Sequence, residues 1–221
     1  MHNFDLHIHT TYSDGNPSIK DAIQAARAKN LTYLAITDHF TTTWKKFIIK
    51  TISFNNFEHY IAEIKKEREL AGFNCLIGIE IDIGSNWNNI IQIPFNQFEI
   101  LLFEYVDSII TLEKLGSLIQ ELEIKPITAL AHNSYFKMAN LEKFASLLVD
   151  NNIYFELNSR YITQKDESLI QKIKILKDYG VKFTLGSDAH SLRRIGDITA
   201  SLSILERIHG FENVIRFDPT P

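Results

Sequence analysis

A chain of 221 residues with 45% hydrophobic and 23% charged side chains has the make-up of a water-soluble globular protein, long enough for one large domain. Its formal net charge of −4 argues against a general polyanion or membrane-surface binder, and no apolar run approaches the roughly 18–20 residues of a membrane span. Cys75 is the only cysteine, which excludes an internal disulfide; with no basic or apolar signal segment at the amino terminus, the expected setting is the cytoplasm.

The first informative stretch runs from Asp5 to Gly15, Asp-Leu-His-Ile-His-Thr-Thr-Tyr-Ser-Asp-Gly. Phe4, Leu6 and Ile8 alternate with Asp5, His7 and His9, the period of a strand with two imidazoles on one face. Residues two apart on a strand lie about 7 Å apart, close enough for both rings to converge on one cation. The following turn brings Asp14 back to the same end. Residues 17–29 read as a helix capped by Asn16 or Ser18, and 31–37 as a buried strand ending at Asp38 and His39. The stretch 40–56 is rich in aromatic residues and lysine (Trp44, Lys45, Lys46, Lys50) and reads as a long loop with a short helix, which either covers a substrate or binds its phosphate, or packs against the barrel.

An amphipathic helix covers 57–70 and stops at Gly72. A third strand spans 74–83 with Glu80 and Asp82 on one face. Residues 86–97 read as a turn and an extended segment, and 98–106 as a strand ending near Glu104. Helices at 112–122, 141–149, 167–179 and 197–209 alternate with strands at 126–131, 153–157 and 181–185. These strands end at His132, at Asn158 and in Gly186-Ser-Asp188-Ala-His190. Gly180 and Gly210 close the last two helices, and a short tail ends at Pro221.

A strand–helix unit thus recurs about seven times without linker, low-complexity segment or fixed-period repeat. Such units build an α/β barrel or a doubly wound sheet. No Gly-rich phosphate loop follows the first strand, which favours the barrel.

Chemistry gathers at the predicted strand ends. Five of the eight histidines, His7, His9, His39, His132 and His190, sit there with Asp14, Asp38, Glu80, Glu104, Asn158 and Asp188. In a parallel barrel these ends form one rim, where active sites are built. Imidazoles and carboxylates without thiolate suit several divalent transition-metal ions. Cys75, early in its strand, belongs to the core. His2 reads as a terminal residue, His59 as a surface or packing residue of a helix, and His209 as a cation at a helix end. Asp38 and Asp82 could orient neighbouring ligands by hydrogen bonds.

Four motifs, His7-Ile-His9 with Ser13-Asp14-Gly15, Thr37-Asp38-His39, Ala131-His132 and Gly186-Ser-Asp188-Ala-His190, together with Gly78-Ile-Glu80, resemble the PHP (polymerase and histidinol phosphatase) superfamily from His7 to about Gly196. The resemblance implies a distorted (β/α)7 barrel, TIM-like, formed by a single domain over residues 1–221. It implies a metal-dependent phosphoesterase with two to three divalent ions (Zn, Mn or Fe) and a metal-bridged hydroxide as nucleophile. Carried over residue by residue, it places His7, His9, Glu80 and Asp188 on one metal. Glu80 would bridge to a second that takes His132, and Asp14, His39 and His190 would hold a third. Many members add a histidine after the bridging glutamate; none lies between Glu80 and His132 here. Glu104 is the first candidate replacement and Gln92 the second.

Arg160, then Arg193 and Arg194, are the candidates for holding phosphate oxygens, since guanidinium matches phosphoryl geometry. The charge balance leans toward a small phosphomonoester of the histidinol phosphate kind. Nucleotide or short nucleic-acid diesters are the alternative, and a non-catalytic partner-binding module a second one. An amide-cleaving barrel with a carboxylated lysine is disfavoured, because no Lys stands at a predicted strand end.

Overall fold

A computed structural model describes residues 3–132, 140–162 and 166–217; the terminal reading of His2 and the tail after residue 217 lie outside the described residues. Seven strands pair in parallel, in the order β1 (Phe4–Ile8), β2 (Tyr33–Ile36), β4 (Cys75–Asp82), β5 (Ile100–Glu104), β6 (Ile127–Leu130), β7 (Tyr154–Asn158) and β8 (Phe183–Gly186). The two-residue β3 (His39–Phe40) pairs with the outer part of β4. A bridge between Ile8 and Ala189, with His9 N donating to Ala189 O at 2.9 Å, joins the last strand to the first. This is the TIM-like α/β barrel expected from the repeated strand–helix units. None of its described helices is long and apolar enough to cross a membrane.

The strands carry apolar side chains on both faces because helices cover the sheet outside and the barrel interior fills from within. Helices α1 (Ile19–Ala28), α2 (Phe57–Ala71), α4 (Ile109–Glu121), α5 (Leu141–Asp150), α6 (Glu167–Asp178) and α7 (Thr199–Ile208) lie close to the predicted spans. Their starts follow capping chemistry: Ser18, Ser108, Asn140 and Asp166 each accept a hydrogen bond from the backbone N–H three residues on.

Three readings change. Residues 86–97 are not extended but form the single-turn α3 (Trp87–Ile90) and a 3-10 turn (Phe95–Gln97), because Asn86 caps Asn88 N and helical bonds follow. The long loop after β2 contains β3 as well as a short helical turn, Trp44–Phe47. At the end of α7 it is His209, not Gly210, that takes the left-handed cap, with φ 52°.

Tyr60 of α2 ties the outer layer to the sheet. Its buried hydroxyl accepts from Asp38 N (3.2 Å) and lies 2.9 Å from Gly78 O and 3.1 Å from Ile36 O. Tyr60→Phe removes the acceptor of Asp38 N and the donor to one of the two carbonyls, and is expected to cost about 1–3 kcal/mol. Urea unfolding checks this; an unchanged midpoint would show that the hydroxyl contributes nothing.

Candidate metal centre

At the carboxyl end of β1, His7 and His9 point into the barrel mouth, and their Nε2 atoms meet at 3.0 Å. Both lie 3.5 Å from Glu80 Oε2 on β4. His9 is sandwiched between His39 and His190, with ring centroids 4.4 Å from each. His190 Nε2 lies 3.2 Å from Asp14 Oδ2, His9 Nε2 3.1 Å from Asp188 Oδ1, and His132 Nε2 2.9 Å from Glu80 Oε1. Three sets of donor atoms, each within 4.8 Å of one another, result: His9, Asp14, His39 and His190; His7, His9 and Asp188; and His39, Glu80 and Glu104. All nine predicted ligand residues therefore meet at one rim.

The donor set fits cations. Asp14 Oδ1, His39 Nδ1 and Glu80 Oε2 are buried without a hydrogen-bond partner among the described residues. His39 Nδ1 and Glu80 Oε2 approach to 2.8 Å without the alignment of a hydrogen bond. Lone pairs that converge in a buried place and miss one another are what ligands of a shared ion look like.

Loop geometry fixes this convergence. Gly15 lets the turn close, since a Cβ there would lie 2.2 Å from His9 O. Asp38, placed by sequence beside His39, instead holds that turn: its carboxylate accepts from Thr10 N, Thr10 Oγ1, Ser13 N and Ser13 Oγ. Asp5 does the same across the barrel seam, accepting from Ser187 N, Ser187 Oγ and Gly196 N. Three residues just past strand ends, Tyr105, His132 and Asp188, adopt left-handed backbone conformations. Such strain, of order 1–3 kcal/mol each, concentrates at functional sites.

One contributor was not singled out from sequence, and another was read only as part of a loop. Glu156 on β7 accepts from His132 N at 2.7 Å and lies 2.8 Å from His7 Nδ1. By accepting from Nδ1 it turns His7 Nε2 toward the cluster. The signal was present: Glu156 is two residues before Asn158 on the same strand face. Asn158 itself turns inward to Glu156, at 3.1 Å. The second is Lys45, whose Nζ lies 2.7 and 2.8 Å from the two oxygens of Glu104.

Other predicted residues are distributed unevenly. Gln92 is exposed and donates to Asn88 O, away from the cluster, so of the two replacement candidates only Glu104 reaches it. Arg160 reaches the site, with Nη1 3.0 Å from Asp188 Oδ2 and 3.2 Å from His190 Nδ1, and its side chain is 44% exposed. Arg194 pairs with Asp197 on the loop beyond β8. Asp82 binds Thr41 and Thr43, anchoring the loop after β3 rather than a ligand. Cys75 is buried in the core, and His59 is exposed on α2.

Electrostatics separate the rings. Burial pulls His39 down, but the charge of Glu80, helped by Glu104 and Asp14, outweighs it and pushes the ring up to about 9. Burial opposes His7, His132 and His190 too, and their carboxylate partners raise all three. His9 goes the other way, lowered by burial and then by the charge of His39. Glu104 is pushed up to about 7 by burial and then by Glu80. Burial would raise Glu80, Asp14 and Asp188, but surrounding imidazoles hold all three below the usual carboxylate range. His39, pushed up to about 9, carries a proton near pH 7 and must lose it to bind a cation. Loading the chelator-treated protein with Mn2+ near pH 7 is therefore expected to release protons, and apparent affinity to rise with pH toward about 9. Calorimetry in two buffers of different ionisation enthalpy measures this; a proton count of zero would contradict the charge assignment.

A parallel α/β barrel with imidazole and carboxylate donors converging on its carboxyl-end rim has the arrangement of a metal-binding centre. The chain matches the PHP domain family over residues 5–217 and belongs to that family. It is 23% identical to the DNA polymerase/3'-5' exonuclease PolX of Bacillus subtilis, covering 90% of this chain but 36% of that protein, so it spans about a third of that relative's length. The fold is similar to histidinol phosphate phosphatase of Lactococcus lactis, solved with zinc, L-histidinol and phosphate. The TM-score is 0.66 at 15% identity, covering 94% of each chain. It is also similar to a chain of an archaeal ribonuclease P complex with mature tRNA, with TM-score 0.55 at 16% identity, covering 99% of this chain and 97% of that one.

Proposed function

We propose that this chain, acting as one unit, hydrolyses a small phosphomonoester with two or three divalent ions held by His7, His9, Asp14, His39, Glu80, His132, Asp188 and His190. The observation that carries the reading is three adjoining donor groups joined through His9 and His39, in which Asp14 Oδ1, His39 Nδ1 and Glu80 Oε2 are buried and unpaired. Divalent ions there would lower the pKa of bound water toward neutrality and neutralise charge on an in-line phosphoryl group.

The protein's own part is positioning. Glu156 selects the ligating nitrogen of His7; Asp5 and Asp38 hold the two ligand-bearing loops. Arg160 is tethered by Asp188 yet open to solvent at the mouth, where its fork can take outer phosphate oxygens. Arg194, paired with Asp197, is the weaker second hand.

A second reading, a nucleotide or nucleic-acid diester, draws on the rim itself. Trp44, Phe47 and Ile48 are 66, 81 and 72% exposed, and Lys45, Lys46 and Arg160 lie over the rings of Tyr105, Phe47 and Tyr161. Aromatic faces beside cations suit stacked bases. The test is turnover of p-nitrophenyl phosphate against bis(p-nitrophenyl) phosphate with Mn2+ or Zn2+, paired with elemental analysis. Metal-dependent turnover that prefers the monoester supports the first reading, and diester preference the second. No bound metal and no turnover of either would leave a binding module instead.

A further inference from the structure

The third donor group is not equivalent to the other two. His39 belongs also to the first group, and a neutral imidazole ligates through one nitrogen while the other carries the proton. Glu80 already faces His7, His9 and His132. His39 is thus shared with the first group and Glu80 is drawn toward the histidines of the others, whereas both oxygens of Glu104 are taken by the Lys45 ammonium, at 2.7 and 2.8 Å.

The lysine is held in place. Its Nζ lies 4.2 Å from the Tyr105 ring centroid, so two of its N–H bonds meet carboxylate oxygens and the remaining face meets an aromatic one. Its side chain is 15% exposed, against 2% for that of Glu104. The turn that carries it starts at Thr43, whose hydroxyl accepts from Lys45 N and donates to Asp82 Oδ2; the Thr41 hydroxyl donates to the same oxygen. Thr42 N donates to Ser85 Oγ just beyond β4. A surface lysine reaching casually for a carboxylate would not need a loop stitched to β4 at three points.

We infer that Lys45 is a built-in cation that occupies the Glu104 corner of the centre in place of a third metal ion, so that the site works with two. Glu104 is then the anchor of Lys45 and not a metal ligand. Rejecting a third ion follows from charge and from donors alike: a divalent ion there would face an ammonium a few ångströms away with the Glu104 carboxylate already committed. Lys45 itself is a positioning residue, since its three donors are spent on the protein.

This rests on the phosphoesterase reading above and sharpens its metal count. The experiment is elemental analysis of the full chain equilibrated with excess Mn2+ and then desalted, for wild type, Lys45→Met, Lys45→Arg and Glu104→Gln, with circular dichroism to verify folding. Wild type, Lys45→Arg and Glu104→Gln are expected to hold two ions each, and Lys45→Met to gain a third. Three ions in wild type would overturn this inference alone. So would the loss of one ion in Glu104→Gln, which is readable even if Lys45→Met does not fold, and so would an unchanged count in folded Lys45→Met. No ion in wild type, with no ester turnover, would overturn the phosphoesterase reading and this inference together.

Discussion

His9→Ala is expected to abolish metal-dependent turnover, by about a thousandfold or more, and to lower the metal content of the purified protein. The reason is its place in the cluster. His9 is common to two donor groups, with Asp14, His39 and His190 on one side and His7 and Asp188 on the other. Its ring also separates those of His39 and His190, which it stacks between. Removing it takes a ligand from both groups and opens a gap in the buried floor of the site. The variant should still fold, because the apolar face of β1 (Phe4, Leu6, Ile8) and the seam between Ile8 and Ala189 do not use the ring. Steady-state assay with elemental analysis checks the expectation. Activity within about tenfold of wild type, at an unchanged metal content, would remove His9 from the centre.

Glu156→Gln is expected to act at one remove, weakening metal binding by about 10–100-fold without removing a ligand. Three donors converge on this carboxylate: His7 through Nδ1, His132 through its backbone N–H, and Asn158 through Nδ2. A carboxylate accepts from all of them; an amide offers one oxygen and turns an N–H toward the remaining donors. Either His7 changes tautomer and presents the wrong nitrogen, or the His132 N–H is left unpaired at a backbone already held in a left-handed conformation. Stability should fall by about 1–3 kcal/mol as well. Chelator competition reads the affinity and thermal unfolding the stability. An unchanged affinity with lowered stability would show that Glu156 serves the fold only.

A related constraint lies behind Glu156. Gly186 allows β8 to pass beside it, since a Cβ there would sit 2.0 Å from Glu156 Oε1 and 2.6 Å from His7 Cβ. The sequence Gly186-Ser-Asp-Ala-His190 therefore carries two messages: the acid and imidazole are donors, and the glycine is clearance for a carboxylate on the neighbouring strand.

Much of this was legible in one dimension. Apolar runs bounded by turn residues locate the strands, the 3.6-residue stripe locates the helices, and polar residues at strand ends mark the rim before any tertiary contact is known. His7, His9, Asp14, His39, Glu80, Glu104, His132, Asp188 and His190 could be read in this way because a parallel barrel places every strand end on the same side. Short local effects were less legible: Asn86 turns 86–97 helical where three isoleucines suggested an extended segment.

Pairing between distant segments belongs to the tertiary structure alone. Glu156 lies 149 residues from His7, and Asp5 lies 182 residues from Ser187. Barrel closure between β1 and β8 brings the second pair together, and no periodicity within either segment encodes the meeting. Lys45 is the clearest case, a loop cation without strand or helix period that finds Glu104 only because Asp82 fastens Thr41 and Thr43 to β4. The sequence by itself determined which histidines and carboxylates stand at strand ends and on which end of the barrel they gather, since both follow from local periodicity. Which carboxylate serves a ligand, which serves a loop and which serves a lysine was decided by tertiary structure, because hydrogen bonds and ion pairs depend on distances that only the closed barrel sets.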